Sequence, residues 1–299
     1  MRVTVRVPAT VANLGPGFDI LALAVQLQNE VEAEEGSAPG LSIDPGPGAP
    51  AELRDPRTNL ITRSYAAACA AAGVEPPPAR LRCHSAIPFA RGLGSSAAAA
   101  LSGVLIADAL ARLGWDEQRV IEQAAIVEGH PDNVAAAMLG GLAICASPAP
   151  AVRVAVPDEL RAVLFIPDAT MSTGAARRVV PLSFSREDAV HNAARCALLV
   201  AALLEGRLEL LGEAMRDRWH QPARGELMPH VPVLIEAALA AGAHGACLAG
   251  AGPSVLALAS ADAGAVGRAM EAAAARLEVP GRAAVHAVRN FGARVDLAP

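Results

Sequence analysis

The chain contains no lysine: all 25 of its Lys+Arg positions are arginine. No mechanism that needs a lysine can run on it. Acidic residues outnumber the arginines, the formal net charge is -5, and no long basic run exists. The basic footprint of a nucleic-acid binder is missing, so no nucleic-acid partner is expected. Cysteine is scarce as well. Cys69, Cys83, Cys145, Cys196 and Cys247 are odd in number, widely spread and without a C-x-x-C pair. That pattern argues against a structural zinc and fits a reduced, cytoplasmic protein whose cysteines fill small core positions. The opening MRVTVRVPAT alternates Val3, Val5 and Val7 with polar residues, which reads as a strand rather than a secretory leader. Two long uncharged windows, one after Asn133 and one over residues 237–261, are broken by Gly140, Gly141, Pro148, Pro150 and Pro253. Turn residues at those places argue against membrane spans.

What is present is enough apolar material for a sizeable core: 53% of 299 residues are hydrophobic. Strands are expected at residues 2–7, 80–87, 162–166 and 255–259. Helices are expected at 58–72, from the GLGSS loop to about 113, and at 116–127, 185–205, 209–219, 233–241 and 265–277. SAPGLSIDPGPGAP reads as a surface loop, and SPAPAV as a boundary between residues 1–155 and 156–299. Mixed strands and helices in each half predict two α+β sandwiches.

The stretch PFARGLGSSAAAA carries the sharpest chemistry. Gly92 and Gly94 permit positive φ and close approach of a ligand to the backbone. A helix start leaves about four N–H groups unpaired and partly positive. Gly92, Leu93, Gly94, Ser95 and Ser96 would turn such groups toward an anion, with two hydroxyls to bind phosphate oxygens or Mg²⁺. The alanines keep the following helix slim. An ordinary capped helix is the plain alternative. Gly92-x-Gly94-x-x-Ala97 also satisfies the dinucleotide fingerprint, but it lies far from the first strand and lacks an acidic residue ending a second strand about twenty positions on. A Walker loop requires the lysine that is absent.

Other clusters surround this one. In PATVANLGPGFD, Asn13 and Asp19 bracket a Gly-Pro-Gly turn, suiting either a small polar substrate or the turn itself. EGHPDNVA packs Glu128, His130, Asp132 and Asn133 before an apolar helix. No second histidine at helical spacing supports zinc. Glu122, one helix earlier, is a carboxylate available to a metal, or else part of a solvated face. STGAARRVVP holds Thr173, Arg177 and Arg178, and HQPARGELMP holds His220 and Arg224. These arginines suit a bidentate carboxylate or a plain surface. GACLAGAGPSVLAL is a second glycine-rich loop.

PATVANLGPGFD, PFARGLGSSAAAA and LAGAGPS, in that order, resemble the three signature motifs of the galactokinase, homoserine kinase, mevalonate kinase and phosphomevalonate kinase (GHMP) superfamily. EGHPDNVA, STGAAR and HQPAR look like the homoserine kinase branch. The resemblance implies an N-terminal α/β nucleotide-binding sandwich, a C-terminal ferredoxin-like sandwich, and a homodimer. It implies ATP and Mg²⁺ as cofactors and L-homoserine as the alcohol phosphorylated. Carried onto matching positions, it places Pro88, Arg91, Gly92, Leu93, Gly94, Ser95 and Ser96 around the phosphates, with Asn59 beside adenine. Ser96 and Glu122 would hold Mg²⁺, with Glu128 as the alternative carboxylate. Asn13, Asp19, His130, Asp132, Thr173, Arg177 and Arg224 would hold the substrate, with Asp132, Asn133 and Arg177 nearest the chemistry. The chain departs from the pattern at Ala136, where a proline is usual, and at Ala249, where a serine is common. Relatives that pair an aspartate base with lysine cannot be copied here. Direct in-line attack, with Asp132 and Asn133 orienting the hydroxyl, is expected instead. A sister kinase for another alcohol such as mevalonate, or a non-catalytic ATP sensor, stay open as alternatives.

Overall fold

The computed structural model describes residues 1–36, 40–47, 49–147 and 149–298. Parts of the expected 37–50 loop, and Pro148 of the SPAPAV break, lie outside the described residues.

β1 (Arg2–Asn13) and β2 (Gly17–Glu35) form a long antiparallel pair. Val3, Val5 and Val7 alternate onto one face and are fully buried, as the period of two requires. The register shifts after Pro8 and again at Ala12/Asn13, which bends the pair where the cleft will form. The expected loop holds a short strand, β3 (Leu41–Asp44), which pairs parallel with β4 (Ala79–His84). Between them runs α1 (Leu60–Ala72), capped by Asn59 and closed by Gly73 in left-handed backbone. α2 (Ser95–Ala111), α3 (Glu117–Glu128) and α4 (Asp132–Leu139) complete a helical layer over this sheet. The slimness of α2 has a steric cause: Ala97, Ala98 and Ala100 are fully buried, and a Cβ on Gly103 would stand 2.1 Å from the Ile61 carbonyl oxygen of α1. β5 (Leu142–Ile144) pairs with β2, and β6 (Val152–Val154) with β5.

The second layer system starts with β7 (Arg161–Pro167), followed by α5 (Thr173–Arg178), α6 (Arg186–Leu204) and α7 (Leu211–Ala214). α8 (His220–Leu227), α9 (His230–Ala240), β8 (Gly245–Leu248), β9 (Val255–Ala259), α10 (Ala263–Arg276) and β10 (Gly281–Ala287) follow. Its antiparallel sheet has the order β10-β7-β9-β8, with α9 and α10 packed on it, the ferredoxin-like arrangement expected. Contacts cross the division expected at residues 155/156 in several places. α6 and α7 contribute Leu199, Leu203 and Leu211 to the first core, and β11 (Arg294–Ala298) pairs with β1 in the first sheet.

The helix expected over 209–219 does not run through. It reduces to a 3-10 turn at Leu208–Leu210 and the single turn of α7. The Asp217 carboxylate stops it by accepting N–H bonds from Trp219, His220 and Gln221, which starts α8. α5 and α8 themselves were not expected as helices. Among the described residues no helix is long and apolar enough to cross a membrane.

Candidate active site

A cavity of about 340 Å³ opens where the first helical layer meets the 171–177 and 250–252 segments. The glycine-rich loop forms one wall. Gly92 and Gly94 have φ of +77° and +70°. A Cβ would stand 2.1 Å from the Ala249 carbonyl oxygen at Gly92, and 2.0 Å from Thr10 Oγ1 at Gly94. Both positions therefore need glycine for space as well as for conformation. The loop is clamped from both sides. Thr10 N–H donates to Leu93 O (3.2 Å), and Thr10 Oγ1 donates to Asn133 Oδ1 (2.7 Å). The second glycine-rich loop packs against Gly92 from the other side, and Gly250 N–H donates to Ala12 O at 3.2 Å. The open N–H groups at the start of the 17-residue α2 thus face the cavity from a fixed position. Gly94→Ala should abolish measurable ATP binding by calorimetry, because the methyl group must displace Thr10. Wild-type affinity would sink the phosphate-cradle reading.

At the mouth of α2, Ser96 Oγ donates to Glu128 Oε1 at 2.6 Å. The Glu128 side chain is 6% exposed, and burial pushes its carboxyl above the usual range despite the Ser96 bond. Glu122 is elsewhere. It lies on the outer face of α3, half exposed, accepting from Gln118 (3.0 Å) with Arg119 at 3.9 Å, and does not line the cavity. The structure does not bring Glu122 to Ser96; the carboxylate that shares a hydrogen bond with Ser96 is that of Glu128. Beyond Glu128, His130 Nδ1 lies 3.0 Å from Asp132 Oδ1, and that bond raises the imidazole's pKa. Asp132 Oδ1 also accepts from the Asn133 N–H at 2.7 Å.

The opposite end is built for a charged small molecule. Ser172 caps α5, aligning it so that Arg177 makes a two-pronged bond to Asp19, Nη1 to Oδ2 at 2.9 Å and Nη2 to Oδ1 at 2.6 Å. Arg224, on α8, is only 2% exposed. It donates to the carbonyl oxygens of Ala176 (3.1 Å) and Gly250 (3.0 Å), yet has no ion-pair partner among the described residues. Burial, then the like charge of Arg177, pushes its pKa down to about 10, so it remains a cation at neutral pH. The Phe18 ring lies under both guanidiniums, at 5.6 Å and 5.1 Å.

His220 was not among the expected site residues, although it stands one helical turn before Arg224. Its Nε2 is 2.7 Å from Gly15 O and its Nδ1 is 3.1 Å from Arg224 Nη1. A carbonyl can only accept and a guanidinium can only donate, so the proton sits on Nε2 and Nδ1 is the acceptor. Burial first, then the Arg224 charge, lowers the pKa to about 4 and keeps the ring neutral. His220→Ala should raise KM for the carboxylate-bearing substrate roughly tenfold while leaving KM for the nucleotide unchanged. His220→Asn, which restores an acceptor near Nδ1, should recover more of the loss than His220→Gln. A drop in Tm with both KM values unchanged would show a structural role alone.

Several expected ligands line the cavity with their polar atoms already engaged. Asn13 donates to Gly250 O (3.0 Å) and accepts from the Asp19 N–H (3.1 Å), which staples the first motif to the third. Asn59 accepts from the Ile61 N–H (2.9 Å) and donates to Leu53 O (2.7 Å), so its amide is spent on capping α1. Arg91 is tied to the carbonyls of Phe89 and Asp168. Pro88 and Thr173 line the cavity. Asn13, Leu14 and Asp19 hold left-handed backbone, with φ of 73°, 47° and 57°. Thr10, inside the quoted PAT motif, was also missed. Its role depends on Gly94 lying above it, which no local pattern announces.

Residues 59–141 match the family described as GHMP kinases N terminal domain, and residues 199–276 match GHMP kinases C terminal. A homoserine kinase of Thermus thermophilus is 47% identical over 256 residues, 85% of this chain and 86% of that protein. One from Moorella thermoacetica is 42% identical over 294 residues, 97% of this chain and 99% of that protein. The crystal structure of homoserine kinase from Cytophaga hutchinsonii superposes with a TM-score of 0.89 at 30% identity, covering 99% of this chain and 97% of that one.

Proposed function

Because the chain belongs to the homoserine kinase family of the GHMP kinases, we propose that its cavity transfers the γ-phosphoryl group of ATP to the side-chain hydroxyl of L-homoserine through the residues above. The observation that carries this reading is Arg224. A buried guanidinium with no carboxylate partner among the described residues, in the wall of a cavity that also holds an anion-binding loop, is a receptor for a second anion. Homoserine supplies that anion. Its ammonium group is a partner for Asp19, and its carboxylate a partner for Arg177 and Arg224. The zwitterion replaces the Asp19–Arg177 pair with two new pairs, so no charge is left alone. A substrate lacking either charge strands one of these groups.

The loop N–H groups of residues 92–96 hold the phosphates. Ser96 and Glu128 are two hard oxygen donors, one of them a buried carboxylate without an arginine partner among the described residues, and this set fits Mg²⁺. Ser96 and Glu128 would hold Mg²⁺ there, and the ion would supply positive charge to offset the negative charge of the phosphates. Asp132 has Oδ1 occupied by His130 and the Asn133 N–H, which leaves Oδ2 to accept from and orient the substrate hydroxyl. Asn133 has Oδ1 held by Thr10 and one Nδ2 hydrogen directed at Asp132 Oδ1 (3.5 Å), which leaves the other to donate to a phosphoryl oxygen. Positioning and charge stabilisation carry the rate, with no lysine to assist a base.

The test is ADP release with four alcohols: homoserine, 3-aminopropanol, 4-hydroxybutyrate and mevalonate. Turnover confined to homoserine is expected. Preference for mevalonate would overturn the substrate assignment, and ATP binding without turnover on any of them would overturn the catalytic one.

A further inference from the structure

The far end of the cavity holds a polar group that phosphoryl transfer does not use. Asn29 lies on β2 in the cavity wall and is 8% exposed. Its Oδ1 accepts two backbone N–H bonds, from Ala86 and Ile87, both at 2.9 Å. Two donors on one atom settle the amide orientation: the oxygen faces the backbone and the NH₂ faces away from it. Nδ2 has no hydrogen-bond partner among the described residues and is not a sealed, buried orphan. The other polar side chains nearby are committed or peripheral. Asn59 is spent on both sides, Ser102 donates to Ala98 O at 2.7 Å, and Ser85 is exposed at the rim. Val31, Leu53, Leu60, Ile61 and Cys83 make the rest of this end apolar.

An apolar slot with one free donor recognises a flat heteroaromatic ring that carries an acceptor on its edge. We infer that Asn29 reads the nucleobase, its Nδ2–H donating to a ring nitrogen of adenine. The inference rests on the nucleotide reading of residues 92–96 and adds the residue that selects the base. It also links two tasks. The same amide holds Ala86 and Ile87, immediately before the loop that begins at Pro88, so the base reader and the entry to the phosphate cradle share one anchor.

The test uses wild type with ATP and three analogues, 1-deaza-, 3-deaza- and 7-deaza-ATP, each replacing one ring nitrogen by C–H. One analogue should show KM raised roughly tenfold and the others should behave like ATP. Asn29→Asp keeps an oxygen toward Ala86 and Ile87 but removes the donor. It should raise KM for ATP by a similar factor, leave KM for homoserine unchanged, and no longer distinguish that analogue from ATP. Asn29→Ala, which has no side-chain donor, serves the same comparison if the aspartate variant has a lowered Tm. Wild type treating all three analogues as ATP overturns the inference, as does a variant that still discriminates among them. Failure of the wild type to consume ATP at all would instead strike the phosphate-loop reading on which the inference depends.

Discussion

Arg224→Ala raises KM for homoserine by about ten- to a hundredfold and leaves KM for ATP nearly unchanged: this is the expected result if Arg224 reads the substrate carboxylate. A hydrogen bond to a charged group contributes about 1.5–3 kcal/mol, which sets that range. The control is 3-aminopropanol, homoserine without its carboxylate. Wild type should use it poorly, and the substitution should harm it far less. Equal losses on both alcohols would mean that Arg224 acts on the fold rather than the ligand. That possibility is concrete, because Arg224 also holds the Ala176 and Gly250 carbonyls. Arg224→Lys separates the two roles further. It keeps the charge and loses the fork, so it should recover part of the KM and little of the bidentate selectivity.

Glu128→Gln should lower kcat by at least about a hundredfold at subsaturating Mg²⁺ and raise the Mg²⁺ concentration needed for half-maximal rate. Groups one shell out from a metal are already worth roughly 10–100-fold in affinity, and a direct carboxylate ligand should be worth no less. Glu122→Gln should behave as wild type, since its carboxylate faces Gln118 and Arg119 outside the cavity. Titration of Mg²⁺ against initial rate for the two variants decides the matter. The reverse ranking would restore Glu122 and remove Glu128.

These two glutamates show where the sequence was legible and where it stopped. They are six residues apart on α3, which is about 600° of helical turn and puts them about 240° apart around the axis. Spacing shows that they point differently, but only the packing of α3 on α2 decides which one meets Ser96. The glycine-rich loop was legible because its chemistry is local: positive φ, hydroxyls and a helix start lie in five adjacent residues. Most helices followed from period and caps, whereas the ferredoxin-like half followed from the family resemblance alone. α8 was not seen, because Pro222 suggests a break, whereas a proline in the first turn costs a helix no bond. β11 offered no pattern, since all five of its residues are exposed. Asn13 and Asn59 look like ligands in sequence, and the structure gives both amides to the backbone.

The turn between β1 and β2 behaves as a loaded spring. Leu14 in left-handed backbone costs on the order of 1 kcal/mol or more, while Asn13 and Asp19 cost less because short polar side chains tolerate that region. The load is carried from outside the turn, by Gly250 O on Asn13, by His220 on Gly15 O and by Arg177 on Asp19. Folded domains typically hold a net margin of only roughly 5–15 kcal/mol. The substrate grip therefore draws on the same margin as the fold, through contacts contributed by α5, α8 and the 249–252 loop. Heat or denaturant that loosens those contacts should therefore release the turn first, with homoserine binding lost before the circular-dichroism signal of the two sheets.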